Sequence, residues 1–205
     1  ASNGVQKVEA HNLYDLASLT KLFASTLAVM KLYEDSLLSL DDTLGMYFPY
    51  LRHTDKSGIS LKEILAHQSG LDGWIPYYKE TISANGPLPE FYATEGNEDF
   101  PNRVAEKMYI ERIYKYKIFQ QIADSPLKEK KYRYSDLGFY FIPQLVEMLT
   151  NIPFDLYLEQ NFYEPMGLTH TLFRPLRRFP ADSIAPTEND LMFRQQTLRG
   201  DVHDQ

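Results

Sequence analysis

The sequence predicts a mainly α chain, and three observations carry that prediction. Between Leu22 and Leu32 the apolar residues fall on every side of a helical wheel, at 22, 23, 24, 27, 28, 29, 30 and 32, with Lys31 as the only charge among them. Residues 134–151, YSDLGFYFIPQLVEMLTN, form a second largely apolar stretch, helical from about Leu137. Clear alternation of the kind a half-buried strand needs is nearly missing. A helix that is apolar all round is a buried one, so the stretch from about Ser18 to Tyr33 is expected to lie at the centre of the molecule.

The elements follow in order. Residues 1–13 are polar with a little alternation and are read as a short strand or an extended lead-in. After the first helix, Ser39-Leu40-Asp41-Asp42 reads as a helix start with acidic residues in its first turn, the helix running to Phe48 and stopped by Pro49. Residues 54–58 are a turn. Ser60-Leu61-Lys62-Glu63 is a capping box opening a short helix that Gly70 is expected to close. From Trp74 to about Pro101 the text is rich in Pro, Gly, Asn and aromatics without a sustained period, a long loop of the kind that is usually functional or disordered. Its aromatics argue against disorder. Residues 103–124 show helical periodicity, Lys128 to Arg133 is a basic turn, and Pro143 comes early enough in the next helix to be tolerated. Pro153 is placed at a first helical position, and Pro165-Met166-Gly167 ends that helix. TLFRP, 171–175, is a candidate short strand, and 188–205 a polar tail.

Composition narrows the function classes. The chain has 205 residues, 43% hydrophobic and 24% charged, the balance of an ordinary globular protein with length enough to bury a substantial core. A net charge of −7 with scattered basic residues gives no electrostatic case for nucleic acid. No apolar run reaches the length of a membrane span. Without cysteine there are no disulfides or thiolate sites, and the five histidines show no metal-ligand spacing, so no cofactor is expected. Fifteen tyrosines and twelve phenylalanines are more than a core needs and suggest aromatic-lined grooves.

The chemistry is concentrated at the start of the first helix. Ser18 and Lys21 stand three residues apart, one turn along a helix face, so the ammonium can reach the hydroxyl. A helix start also offers unpaired N–H groups and the positive end of the helix dipole. Ser125 and Lys128 repeat the spacing, but they run into Glu129-Lys130-Lys131 with no apolar helix behind and are read as a loop. Tyr134 stands in a similar place, at the mouth of an apolar helix after a basic turn. A phenol beside a lysine can be held partly as phenolate and can take and return a proton. Tyr33-Glu34-Asp35 has the same Tyr-x-Asp letters and is read as a helix end.

Taken together these segments resemble the penicillin-recognising serine hydrolases, in particular class C β-lactamases, DD-carboxypeptidases and related esterases. Ser18-Leu19-Thr20-Lys21 looks like their Ser-x-x-Lys motif, and Tyr134-Ser135-Asp136 is similar to their Tyr-x-Asn element. Leu65 to Leu71, LAHQSGL, resembles the family's LLTHTSGL segment, and Glu164-Pro165-Met166-Gly167-Leu168 its PLGM turn. Gly200-Asp201-Val202-His203-Asp204 extends the likeness. The resemblance implies the helical portion of the α/β (α+β) serine β-lactamase/DD-peptidase fold as one domain over 1–205, with 72–133 as an insertion lining the cleft.

It also implies Ser18 as nucleophile, Lys21 as activator, Tyr134 as general base and acid, and Asp136 in the place of an asparagine that contacts substrate and lysine. An aspartate there should raise the Lys21 pKa and shift weight to Tyr134. The family's third motif, Lys or His, then a small residue, then Gly, is expected on a strand after Tyr134. Nothing there fits, and Lys56-Ser57-Gly58 lies before Tyr134 in a turn. The chain is therefore expected to be part of a longer protein, truncated before the C-terminal strands and lacking one oxyanion donor, a loss of roughly 10²–10³ in rate. The expected activity is hydrolysis of an ester, amide or D-amino-acid peptide, a small-molecule or peptide substrate, through an acyl-enzyme. The alternative is a non-catalytic module that binds cell-wall peptide or glycan or is attached to another enzyme. An additional domain in the parent protein and an extracytoplasmic, bacterial location are implied by resemblance.

Overall fold

The computed structural model describes residues 9–203 and divides the chain into two compact units. One consists of Ser18–Tyr77 and Lys115–Thr169, the other of Ala1–Ala17, Tyr78–Tyr114 and His170–Gln205. The expected lead-in over 1–8 lies outside the described residues.

The first unit is helical. Its chain passes through a 3-10 turn at Ala17–Leu19 and a π-helical stretch at Lys21–Thr26 into α1, Leu27–Glu34. Such widened turns are rare and concentrate at functional sites. Two hydroxyls bind carbonyls of this one: Thr26 donates to Lys21 O at 2.8 Å and Tyr163 to Phe23 O at 2.9 Å. Ala24, Ala28, Val29 and Leu32 are buried, but Leu22, Phe23 and Met30 are 50–60% exposed. The expectation of a helix buried all round is corrected: one side alone packs among the described residues. A wheel that is apolar everywhere does not say which side will find neighbours.

Next comes α2, Leu44–Tyr47, shorter than expected. Its acidic approach does other work, because Asp42 Oδ2 accepts from the Ser39 N–H at 2.7 Å and the Tyr47 hydroxyl at 2.5 Å. A side chain bonded locally in this way competes with helix formation. Pro49 opens a 3-10 turn, Pro49–Leu51, rather than ending the segment.

The capping box is present at α3, Leu61–Leu65: the Ser60 N–H donates to Glu63 Oε2 at 2.8 Å and the Glu63 N–H to Ser60 Oγ at 3.4 Å. The residue that takes the left-handed position after its last turn is His67, φ 53°, not Gly70. Gly70, further on, is itself left-handed at φ 80°. A Cβ there would sit 2.4 Å from the Lys128 carbonyl oxygen.

The helices α4, Tyr114–Asp124, and α5, Phe141–Thr150, bring Phe119 and Phe48 onto Phe141, with ring centroids 5.3 and 5.2 Å apart. A 3-10 turn at Leu137–Tyr140 leads into α5. There Gly138 lets Ile64 of α3 approach, since a Cβ would meet its Cγ2 at 2.8 Å. Pro153 caps rather than begins α6, Phe154–Leu158. The chain then runs through a π turn, Glu159–Tyr163, to Gly167 at φ 69°.

The second unit adds to the mainly α framework short antiparallel strands that the sequence reading did not place. Between residues 74 and 101, read as a loop, lie a 3-10 turn at Tyr77–Thr81, the hairpin β1, Ile82–Ser83, with β2, Gly86–Pro87, and the strand β3, Tyr92–Ala93. The helical period over 103–124 holds only from Tyr114. Before it stand β4, Asn102–Ala105, and β5, Met108–Ile110, in a sheet ordered β3-β5-β4. Lys107 turns the hairpin at φ 52°.

Spacing alone cannot separate short apolar runs of this kind. Tertiary packing decides here: Ala105 and Met108 cluster with Phe193 and Leu198 against Tyr78, Ile82 and Tyr92. The polar tail holds another hairpin, β6, Glu188–Asp190, with β7, Gln196–Leu198. The turn between them is tied by a buried pair, Arg194 Nε to Asp190 Oδ2 at 2.9 Å. TLFRP is not a strand, and a 3-10 turn begins at its Pro175. Asp201, in the segment that extends the family likeness, binds Arg103 through both oxygens at 2.9 and 2.7 Å.

Removing the Ser60 hydroxyl in Ser60→Ala should cost about 1 kcal/mol of stability. Gly138→Ala should cost about 1–3 kcal/mol by overpacking against Ile64. Urea unfolding checks both. Gly58→Ala, whose methyl would meet nothing within 4 Å, is the control expected to shift the midpoint little.

Candidate active site

Every site residue drawn from the sequence lies in the helical unit. Ser18 and Lys21 come from the turns that precede α1, Tyr134 and Asp136 from the chain entering the 3-10 turn before α5. Ser18 lies in the tight 3-10 turn, where residues three apart share a side, and Lys21 Nζ donates to Ser18 Oγ at 3.0 Å. The same nitrogen lies 2.5 Å from Asp136 Oδ1, in a pair whose side chains are only 15% and 29% exposed. It stands 5.2 Å from the centre of the Tyr134 ring and 5.7 Å from that of Phe139. Ser18 itself is exposed, as a nucleophile must be to meet a substrate. The residue before it, Ala17, holds a left-handed φ of 46°, unusual for a non-glycine residue.

The electrostatics follow from this cage. Burial works against the Lys21 charge, but hydrogen bonds to Asp136 and Tyr134 together outweigh it and raise the pKa above its ordinary value. The direction is the one expected from an aspartate at 136. Lys21 is therefore an ammonium at neutral pH, a donor to Ser18 rather than a free amine.

What holds Tyr134 and Asp136 in place was not read from the sequence. Residues 67–73 run beside 133–136 and bind them at nearly every step. The Arg133 N–H donates to His67 O at 2.8 Å and the Ser135 N–H to His67 Nδ1 at 3.2 Å. The Ser135 hydroxyl donates to Asp72 O at 2.6 Å and the Asp136 N–H to Gly73 O at 2.9 Å. The His67 ring lies against Tyr134 at 4.4 Å between centroids, 31° between planes, and against Phe139 at 5.2 Å. Burial, and next the Lys21 charge, push its pKa below the usual histidine value. The signal in the sequence was the segment LAHQSGL, to which no chemical role had been attached.

Two look-alikes fall outside the site. Lys56 of Lys56-Ser57-Gly58 is buried, 1% exposed, with its ammonium on the Ser125 carbonyl and 2.6 Å from Asp55. Lys128, three residues after Ser125, pairs with Asp72.

Comparison with known proteins places the chain in a family. The Beta-lactamase family model matches residues 1–203. A protein of Escherichia coli K12 provisionally named a D-alanyl-D-alanine carboxypeptidase is 31% identical over 214 residues, 97% of this chain and 45% of that protein. The N-acetylmuramyl-L-alanine amidase of Bacillus subtilis 168 is 29% identical over 216 residues, 97% of this chain and 44% of its own length. Among solved structures, the octameric penicillin-binding protein homologue from Pyrococcus abyssi shares the fold, with a TM-score of 0.63, 18% identity, and coverage of 95% of this chain and 41% of that one. The chain thus spans less than half the length of the curated relatives it matches. With the family model spanning both units, the chain belongs to the β-lactamase family of serine hydrolases.

Proposed function

We propose that this chain carries the acylating residues of a serine hydrolase that acts on an ester, amide or D-amino-acid peptide. Ser18 is the nucleophile, and its Oγ forms the acyl bond to the substrate carbonyl carbon. Lys21, held as an ammonium, lowers the cost of negative charge on that oxygen. Tyr134 accepts the serine proton and returns it to the leaving group, and Asp136 holds the lysine and borders the substrate. Water then releases the acyl group and regenerates Ser18. The observation that carries the reading is the 3.0 Å contact from Lys21 Nζ to an exposed Ser18 Oγ. The names of the relatives, a carboxypeptidase and a muramyl-alanine amidase, support cell-wall peptide as the substrate class and an extracytoplasmic location. Among the described residues no helix is long and apolar enough to cross a membrane.

A second reading, a non-catalytic module that binds wall peptide or glycan or serves another enzyme, is favoured by one specific observation. The Asp136 carboxylate locks Lys21 in its charged form, which withdraws the lysine as a base.

Intact-mass spectrometry after incubation with a fluorophosphonate separates the two readings. A single adduct that disappears in Ser18→Ala is the result expected for the hydrolase; absence of any adduct on the full-length protein would sink it. Asp136→Asn removes the charge that raises the Lys21 pKa, and burial then acts unopposed by that carboxylate. The ammonium is then lost at lower pH, so the alkaline limit of labelling should move to lower pH in Asp136→Asn, with the share of neutral lysine rising about tenfold for each unit the pKa falls. A slower reaction at every pH would instead assign the Asp136 carboxylate a direct part in proton transfer.

A further inference from the structure

His67 belongs to none of the roles above, yet it binds the site's scaffold through its backbone, its ring nitrogen and its ring face. It leaves α3 in the left-handed conformation, accepts the Arg133 N–H on its carbonyl and the Ser135 N–H on Nδ1, and fills the space between the Tyr134 and Phe139 rings. The residues it binds bracket Tyr134 and directly precede Asp136, the two groups that hold Lys21.

We propose that His67 is a positioning residue whose neutral imidazole, protonated on Nε2 and accepting at Nδ1, sets the Tyr134 phenol and the Asp136 carboxylate around Lys21, and whose protonation releases them. The inference rests on the hydrolase reading for its effect on rate, but not for its effect on the ring.

The chemistry of the switch is local. An Nδ1 that gains a proton becomes a donor facing the Ser135 N–H donor, so the bond that registers residues 134–136 is lost. The new cation also stands beside the Lys21 ammonium. The charged and titratable groups that bear on the ring are Lys21, which repels a second positive charge, Asp136, which attracts one, and the Tyr134 and Tyr132 phenols, the latter ring 6.4 Å away and edge-on. Burial and Lys21 favour the neutral ring. The site is then assembled above the ordinary histidine range and comes apart on the acid side, below about 6.5.

The test follows acylation of Ser18 by a fluorophosphonate against pH in the full-length protein, for wild type, His67→Asn and His67→Ala, with thermal unfolding to establish that each is folded. Asparagine tolerates the left-handed conformation and offers Oδ1 near the place of Nδ1, but does not titrate. Wild type should lose rate with a midpoint below 6.5, and His67→Asn should recover most of the rate while losing that acid limb. His67→Ala should be slower by about tenfold or more at every pH, since misplacement on the order of 1 Å can cost about a hundredfold. An alanine variant with wild-type rate and pH profile, or an asparagine variant that keeps the acid limb, overturns the proposal.

If wild type is not labelled at all, the hydrolase reading falls and the ring decides by itself. Heteronuclear NMR should show His67 as the Nε2–H tautomer with a depressed pKa that rises in Lys21→Ala. An Nδ1–H tautomer or an unperturbed titration overturns the inference independently of activity.

Discussion

The ion pair between Lys21 and Asp136 joins the two helical segments on which the site is built. Lys21 belongs to the widened turns before α1, Asp136 to the entrance of α5, and a 2.5 Å contact holds them together. Both side chains are largely out of water, so each ion loses solvation that only the other, with the hydrogen bonds around it, restores. Removing either partner from such a pair is far more damaging than its net contribution suggests, because a charge is left behind without compensation. The proposed nucleophile is placed by the same contact, since the nitrogen that meets Asp136 also donates to Ser18 Oγ. Geometry and protonation are coupled here: the carboxylate that positions the lysine also keeps it charged.

Around this pair the fold supplies a second level of support. The segment 67–73 runs beside 133–136 and accepts the N–H groups of Arg133, Ser135 and Asp136 and the Ser135 hydroxyl. Glycine matters on this segment for reasons of space. Gly70 lets the Lys128 carbonyl come close, and at Gly73 a Cβ would meet the Tyr134 carbonyl at 3.3 Å. On the other side of this segment the Ser60 capping box fixes where α3 begins, and hence where His67 leaves it. Stability of the helical unit and alignment of the site thus draw on the same short stretch of chain.

Some of this was legible without coordinates. Ser18 and Lys21 could be paired because one helical turn separates them, a local relation that spacing alone expresses. The direction of the Lys21 pKa followed from the charge at 136. The capping box at Ser60 is likewise local and was readable. The strands were not. Residues 102–110 carry apolar positions compatible with a helix, and only the cluster formed with Phe193 and Leu198, about ninety residues further on, selects the hairpin. The same holds for the exposure of Leu22, Phe23 and Met30, because burial depends on what packs against a helix and not on its own composition.

The sequence by itself determined the helical framework and the chemistry placed at its entrance: a serine and a lysine one turn apart, and a tyrosine and an aspartate at the mouth of a second apolar helix. These rest on periodicity, capping and charge, which act over a few residues. Only the tertiary structure decided that the two entrances meet, that Lys56-Ser57-Gly58 and Ser125 with Lys128 are excluded from the site, and that His67 stands between Tyr134 and Phe139. Those outcomes depend on contacts between residues roughly seventy to more than a hundred positions apart. Such contacts arise from shared burial and hydrogen-bond satisfaction, which no local pattern encodes.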